Sequence, residues 1–430
     1  MTSEAALRRI IKIMSVLLCT ALGVLAIFGG LYLKKNSSKD SPKKVSKDSS
    51  SKISAITTDA DDVTTDAEDS QPQEPAPEPE PEPEPVDPVE ARISQMSLHE
   101  KVCQLFIVTP EELAGDKSKT LTTAGLETKL ALAETPVGGI IYFSDNLQNV
   151  DQTEKMLTQT KDFAKELGMP RLFISVDEEG GTVARCAEML GLTQFADMYY
   201  YRDEGEETAY DNAFTIGTYL TELGFDLDFA PVADTWSNYF NTVIGTRAYS
   251  DDFEQSARLV ASAVKGFKDS GVACTLKHFP GHGDTNDDSH LGSVYSYKSL
   301  EELEEQEYLA FESGIAAGAD MVMVGHITME GVDEQPASLS PVMVTEQLRE
   351  NLGFNGVIIT DSLEMGAIAD NYPDGEAALL AFKAGCDMLL MPEDLNKAVS
   401  SIEKAVESGD IKEERIDESL RRIFALKGLS

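Results

Sequence analysis

Residues 272–290 read VACTLKHFPGHGDTNDDSH. The first part, VACTLKHF (272–279), is an apolar, strand-like run that breaks into charge at Lys277 and His278. The second part carries Pro280, Gly281 and Gly283, which break any regular element. It also holds three of the chain's five histidines, His278, His282 and His290, interleaved with Asp284, Asp287 and Asp288. A buried strand emptying into a polar, glycine-broken loop is the pattern of a parallel α/β fold at its functional rim.

Seven more runs share the pattern: LFIV (105–108), GGIIYF (138–143), RLFISVD (171–177), FDLDFAPV (225–232), DMVMVGH (320–326), GVIITD (356–361) and DMLLMP (387–392). Amphipathic stretches separate most of them, such as VDQTEKMLTQTKDFAKELG, ETAYDNAFTIGTYLTELG and DFEQSARLVASAVKGFKDSG, each ending in a glycine suited to a helix C-terminus. MSLHEK adds a capping box, with Ser97 as N-cap and Glu100 three residues on. Eight such units predict an α/β fold, a (β/α)8 TIM-like barrel. A doubly wound sheet is the alternative, but no G-x-G-x-x-G follows a first strand, which argues against a dinucleotide fold.

In a barrel the residues at strand C-terminal ends converge on one rim. Here they are Asp177, Asp234, Lys277, His278, His326 and Asp361. The histidine-rich loop has three readings: a metal site using His278, His282 and His290 with Asp284 or Asp288, a solvated loop, or acid/base catalysis. For the last, Asp288 and His290 lie two residues apart and would share a face of an extended segment, so that the carboxylate orients the ring and stabilises its charged form. Asp361 reads as a nucleophile, a ligand-binding carboxylate or the N-cap of SLEMGA; Asp177 reads as a turn cap or a grip for hydroxyls. Arg185 and Arg247 are the long cations nearest these loops, as binding groups or surface ion-pair partners. Together, a nucleophile-capable Asp, a His-based acid/base and groups for hydroxyl contacts fit glycoside hydrolysis with retention.

Composition divides the rest of the chain. Residues 13–33, IMSVLLCTALGVLAIFGGLYL, carry no charge and are flanked by Arg8, Arg9 and Lys12 before and Lys34 and Lys35 after. We read residues 1–35 as an N-terminal membrane anchor with one transmembrane helix. Residues 36–90 are Ser/Lys/Asp-rich and then Pro-Glu-rich, with too few large apolar residues to offset ordering entropy. They predict a disordered linker whose Pro-Glu part is a stiff stalk of about 3 Å per residue. Residues 91–430 are the barrel. The net charge of −39, most of it after residue 90, argues against a nucleic-acid partner. Cys103, Cys186, Cys274 and Cys386 are widely spaced with no CxxC pair, which favours buried thiols over a zinc knot or disulfides.

Four stretches in this order, VDEEGGTVAR, FAPVADTWSN with VIGTRAYS, KHFPGHGDTNDDSH and GVIITDSLEM, resemble glycoside hydrolase family 3 and its β-N-acetylhexosaminidase branch, from about Ile93 to Leu426. The D-S-H triplet carries the branch. The resemblance implies Asp361 as nucleophile and His290 as general acid/base with Asp288 as partner. It implies that Asp177, Arg185, Arg247, Lys277 and His278 hold an N-acetylglucosamine unit. It implies no cofactor or metal, and a monomeric barrel acting on N-acetylglucosamine-containing glycans of cell-wall or chitin type. With the anchor, it implies a single-pass cell-membrane protein with the catalytic domain extracellular. Phosphorolysis, and an inactive surface glycan-binding protein, stand as alternatives. Two positions depart from the family's usual D-Q-E-G-G-R-V: Glu178 adds a charge and Thr182 lacks an Arg, which would alter an outer subsite.

Overall fold

In the computed structural model of the chain, which describes residues 87–286, 288–373 and 375–429, the eight apolar runs each supply one strand of a single parallel sheet. The strands are β1 (Phe106–Val108), β2 (Gly139–Ile141), β3 (Phe173–Val176), β4 (Leu227–Asp228), β5 (Ala273–Phe279), β6 (Met321–Val324), β7 (Val357–Thr360) and β8 (Leu389–Leu390). Each pairs with the next in sequence from β1 to β7, and β8 returns to β1 with Phe106 beside Leu389. A parallel bridge from Ile359 in β7 to Met388 then brings the two edges together, so the barrel is nearly closed. The strand order never reverses, which removes the doubly wound alternative.

The regular ladder of the run FDLDFAPV covers only Leu227–Asp228, but the run stays hydrogen-bonded to its neighbours: Phe229 donates to the Val176 carbonyl at 2.9 Å and the Ala230 carbonyl accepts the Thr275 N–H at 2.8 Å. Beyond it one bridge, Val232 to Lys277, keeps the chain beside β5. The predicted helices form over Val150–Glu166, Glu206–Leu223 and Phe253–Ser270. Gly224 and Gly271 close the last two in the left-handed conformation that other residues adopt at a cost. Ser97 and Glu100 make the expected capping box. Cys103, Cys186, Cys274 and Cys386 are free, buried thiols.

The folded part begins slightly earlier than the linker boundary at residue 90 implies. Pro88–Ile93 is helical: Asp87 accepts the Val89 N–H at 2.8 Å, Pro88 sits in the first turn, and Glu90 pairs with Arg421 of the last helix, Glu413–Leu426. The expected anchor and the rest of the linker lie outside the described residues. Among the described residues no helix is long and apolar enough to cross a membrane.

The N-terminal end of the barrel is tied by carboxylates. Asp226, Asp320 and Asp387 precede β4, β6 and β8, and each accepts the N–H of a residue in the preceding strand: Ile174 at 3.3 Å, Cys274 at 3.1 Å and Ile358 at 3.0 Å. Each also meets cations. Asp226 pairs with Lys161 and Arg171, Asp320 with Lys268, and fully buried Asp387 with Arg349 and Arg422.

Candidate active site

The opposite end of the barrel opens into a cavity of about 400 Å³. Asp177, Arg185, Arg247, Lys277, His278, His290 and Asp361 all line it. Asp288, the remaining predicted site residue, stands one step back, behind His290.

The loop after β3 folds as a small antiparallel hairpin, Glu178–Gly180 against Val183–Ala184. Its alternation turns Asp177 and Glu179 toward the cavity and Glu178 away. Lys277, buried at the end of β5, donates to Asp177 at 2.6 Å and lies 2.8 Å from Glu179. Glu179 also takes a two-pronged contact from Arg247, at 2.8 Å from Nε and 2.7 Å from Nη2. Burial pushes the Glu179 carboxyl up, but Arg247 and Lys277 outweigh it and hold the group well below the usual range. The sequence reading missed Glu179. Its signal was present, because a carboxylate two residues beyond Asp177 shares a face in any strand-like continuation.

Glu178 overturns the expectation of an added charge in an outer subsite. It is fully buried and accepts the N–H groups of Cys186 and Ala187 at 2.6 and 2.9 Å and the hydroxyl of Tyr219 at 2.8 Å. It therefore caps the short helix Arg185–Leu190 from below, where the helix N-terminus favours a carboxylate. That helix presents Arg185 to the cavity, its guanidinium 5.7 Å from the Phe143 ring centroid.

His278 is fixed by Asp234, the rim residue after β4. Asp234 Oδ2 lies 2.7 Å from His278 Nδ1, and Oδ1 accepts the His282 N–H at 2.6 Å. Burial pushes Asp234 up, while His278 and the bonds it accepts hold it below the usual carboxylate range. An ionised carboxylate only accepts, so Nδ1 carries the proton and Nε2 is left for the cavity. His326 does not line the cavity. Its ring is buried between the Ser338 hydroxyl at 2.7 Å and the Ser362 carbonyl at 2.8 Å, and burial pushes its pKa down against the pull of Asp361. It braces the residue after Asp361.

Asp361 ends β7 and accepts the Ser362 N–H at 2.8 Å. It does not cap SLEMGA, since the next helix begins only at Gly366. Burial pushes its carboxyl up, but His278, His326, the Ser362 N–H and Lys277 together hold it below the usual value. It is an anion at neutral pH.

The loop after β5 carries the dyad. Asp288 Oδ1 lies 2.7 Å from His290 Nδ1 and also accepts the His290 backbone N–H at 2.9 Å. The segment is not extended as expected. The Asp288 carbonyl accepts the Leu291 N–H, closing a turn, and one side-chain oxygen reaches both nitrogens of His290 because the chain doubles back. Burial pushes Asp288 up, and the His290 contacts hold it below the usual range. The loop is tied down at several points. The carbonyls of Ser289 and His290 accept the N–H groups of Ala367 and Gly366, six and five residues beyond Asp361. Gly283 passes so close to Thr235 that a Cβ would fall 1.8 Å from its carbonyl oxygen. His282 lies buried with Nδ1 at 2.7 Å from Thr285 Oγ1 and Nε2 at 3.1 Å from Ser289 Oγ. The three loop histidines are thus each committed to a different partner, and among the described residues no group of three His, Cys, Asp or Glu is placed to hold a metal ion.

A sequence profile described as the glycosyl hydrolase family 3 N-terminal domain matches residues 97–426. The chain is 32% identical over 340 residues to a protein named beta-hexosaminidase A from Pseudoalteromonas piscicida, covering 73% of this chain and 57% of that one. It is 37% identical over 274 residues to a beta-hexosaminidase from Neisseria gonorrhoeae, covering 62% of this chain and 74% of that one. Among solved structures it resembles a family 3 beta-N-acetylglucosaminidase from a Paenibacillus species, with a TM-score of 0.73 and 39% identity, over 78% of this chain and 62% of that one. The chain thus spans less than two thirds of the Pseudoalteromonas and Paenibacillus proteins.

Proposed function

The chain belongs to glycosyl hydrolase family 3, and on that premise we propose that it is a retaining exo-β-N-acetylglucosaminidase, with Asp361 as nucleophile and His290 as general acid/base. The observation that carries the proposal is the docking of the Asp288–His290 turn onto the segment that follows Asp361, which puts an imidazole and an ionised carboxylate on one cavity. A cavity of this size suits a single terminal sugar. Asp177, Arg185, Arg247, Lys277 and His278 supply the charged and hydrogen-bonding groups for its hydroxyl and acetamido positions.

In the first step Asp361 attacks the anomeric carbon as the glycosidic bond breaks, and His290 gives its proton to the departing oxygen. Nδ1 faces the ionised Asp288, so the proton leaves from Nε2. In the second step neutral His290 takes a proton from water, whose oxygen attacks the anomeric carbon and frees Asp361. Asp288 stabilises the imidazolium whenever the ring is charged. The neutral ring repels an approaching nucleophile less than a carboxylate base would.

The test uses leaving groups. His290→Ala should lower the rate on a disaccharide by about 10²–10⁴-fold, as loss of a general acid does. On an activated aryl N-acetylglucosaminide it should give a burst of phenol and then slow turnover, with the sugar's mass on the peptide carrying Asp361. Equal impairment on both substrates, with no burst and no labelled Asp361 peptide, would remove the assignment. We also propose that residues 13–33 anchor the protein with the barrel outside the cell, from their length and lack of charge. Protease added to intact cells should then release an active fragment; a barrel protected until lysis rules the orientation out.

A further inference from the structure

The loop after β4 contributes more than Arg247. It also carries the chain's one tryptophan and two of its most exposed aromatic side chains. Tyr239 is 79% and Phe240 82% exposed, and neither packs into a hydrophobic cluster of the fold. Isolated exposed aromatics are ordinary, whereas a contiguous, ordered set calls for a ligand.

This set is ordered. Trp236 is half-buried against Val232, Ile244 and Ala248. Tyr239 stacks on it with ring centroids 5.1 Å apart and an angle of 18°. Tyr199 abuts Trp236 edge-on at 5.1 Å, and the Arg202 guanidinium covers Tyr199 at 4.0 Å. The Tyr199 hydroxyl is tethered to Asp251 at 2.9 Å. The stack therefore backs one face of Tyr239 and leaves the other face open, with Phe240, the next residue, exposed. Tyr239 thus has little side-chain freedom left to lose on binding.

The platform is continuous with the candidate active site. Ile244, on which Trp236 rests, lines the cavity. Asn238, between Trp236 and Tyr239, donates through its side chain to the Asp284 and Thr285 carbonyls at 3.1 Å each and to Asn286 Oδ1 at 2.9 Å. These residues belong to the loop that carries His290.

We propose that the Tyr239–Phe240 face, backed by Trp236, is a binding platform for the leaving portion of an oligosaccharide whose terminal residue occupies the cavity. An exo-acting site takes the terminal sugar into the cavity of about 400 Å³, so the rest of a longer chain lies outward of it. The C–H faces of equatorially substituted pyranoses are apolar and flat, the complement of an open aromatic ring. The substrate class is then a linear β-linked glycan of three or more sugars rather than a disaccharide. This rests on the hydrolase reading above.

The experiment compares kcat/KM for an aryl N-acetylglucosaminide with that for β-linked N-acetylglucosamine oligomers of two, three and four units. In the unaltered protein the value should rise from dimer to tetramer by about tenfold, the gain of one good aromatic contact. Tyr239→Ala and Phe240→Ala should each remove most of that rise, lowering the ratio of tetramer to aryl glycoside; Tyr239→Phe should keep it. Both residues are exposed, so folding should be preserved. A flat length profile in the unaltered protein, or a rise that survives both alanine variants, overturns the platform while aryl cleavage leaves the hydrolase reading standing. No aryl or oligomer cleavage at all sinks both. Variants that lose binding to lipid vesicles but keep the length profile would assign the patch to a membrane surface and likewise overturn the proposal.

Discussion

At the N-terminal end of the barrel, Asp226, Asp320 and Asp387 each give oxygens to a neighbouring strand's N–H and to Lys or Arg partners. At the C-terminal end, Asp361 has one N–H at its carboxylate and, among the described residues, no ion pair; its charge is favoured by His278, His326 and Lys277 acting from around it. The residue type is the same, and each carboxylate sits next to a strand end, at opposite ends of the barrel. A carboxylate whose lone pairs are filled by backbone and cation holds strands in register and has nothing left to react with. A carboxylate kept anionic by a surrounding field, with a single N–H on it and no ion pair, keeps lone pairs free to react, as the proposed nucleophile must.

This division can be broken from either side. The largest expected effect is on chemistry. Asp361→Asn should lower kcat on both aryl and sugar leaving groups by about 10⁴-fold or more, while the thermal midpoint moves little. A variant that kept activity on the aryl glycoside would mean that the rim carboxylate is not the nucleophile.

The next effect is on stability. Asp387→Asn leaves Arg349 and Arg422 facing a buried neutral group and weakens the tie to Ile358, a loss of about 3–5 kcal/mol for a broken buried pair. Denaturant titration should show it, and the molecules that remain folded should turn over at the normal rate. If activity per folded molecule fell as far as with Asp361→Asn, the two ends would not be separable.

The smallest sharpens the boundary between them. Glu307 lies behind the loop that carries His290, where it crowds Gly281. It is buried, with Lys298 on one oxygen and no hydrogen-bond partner on the other among the described residues. Burial pushes its carboxyl up to about 7, opposed by Lys298. A folded value raised above the unfolded one stabilises the protein fully below about 4.5 and loses that contribution as pH rises through about 7. Glu307→Gln should therefore flatten the decline in stability between pH 4.5 and 7.5, a difference on the order of 2 kcal/mol. Parallel pH profiles for the two proteins would show that Glu307 is not the titrating group.

The sequence by itself determined the eight strands and the residues at their ends. A strand buried on both faces must be apolar along its length, so the place where apolar residues stop marks the rim; Asp177, Lys277, His278 and Asp361 were legible for that reason. Local spacing also marked the Asp288–His290 pair and the helix caps, which depend on residues a few positions apart.

Tertiary structure decided what depends on contacts distant in sequence. Glu178 and Glu179 are the same residue type side by side, yet one caps the helix Arg185–Leu190 and the other holds Arg247 and Lys277, because the hairpin turns them to opposite faces. Asp234 serves His278 and His282 across 44 and 48 residues, and Asn238 reaches the His290 loop across a similar span. No local pattern encodes such partners. They are chosen when the closing barrel brings separate loops onto one rim, and burial leaves each polar group either paired there or unpaired at a cost in free energy.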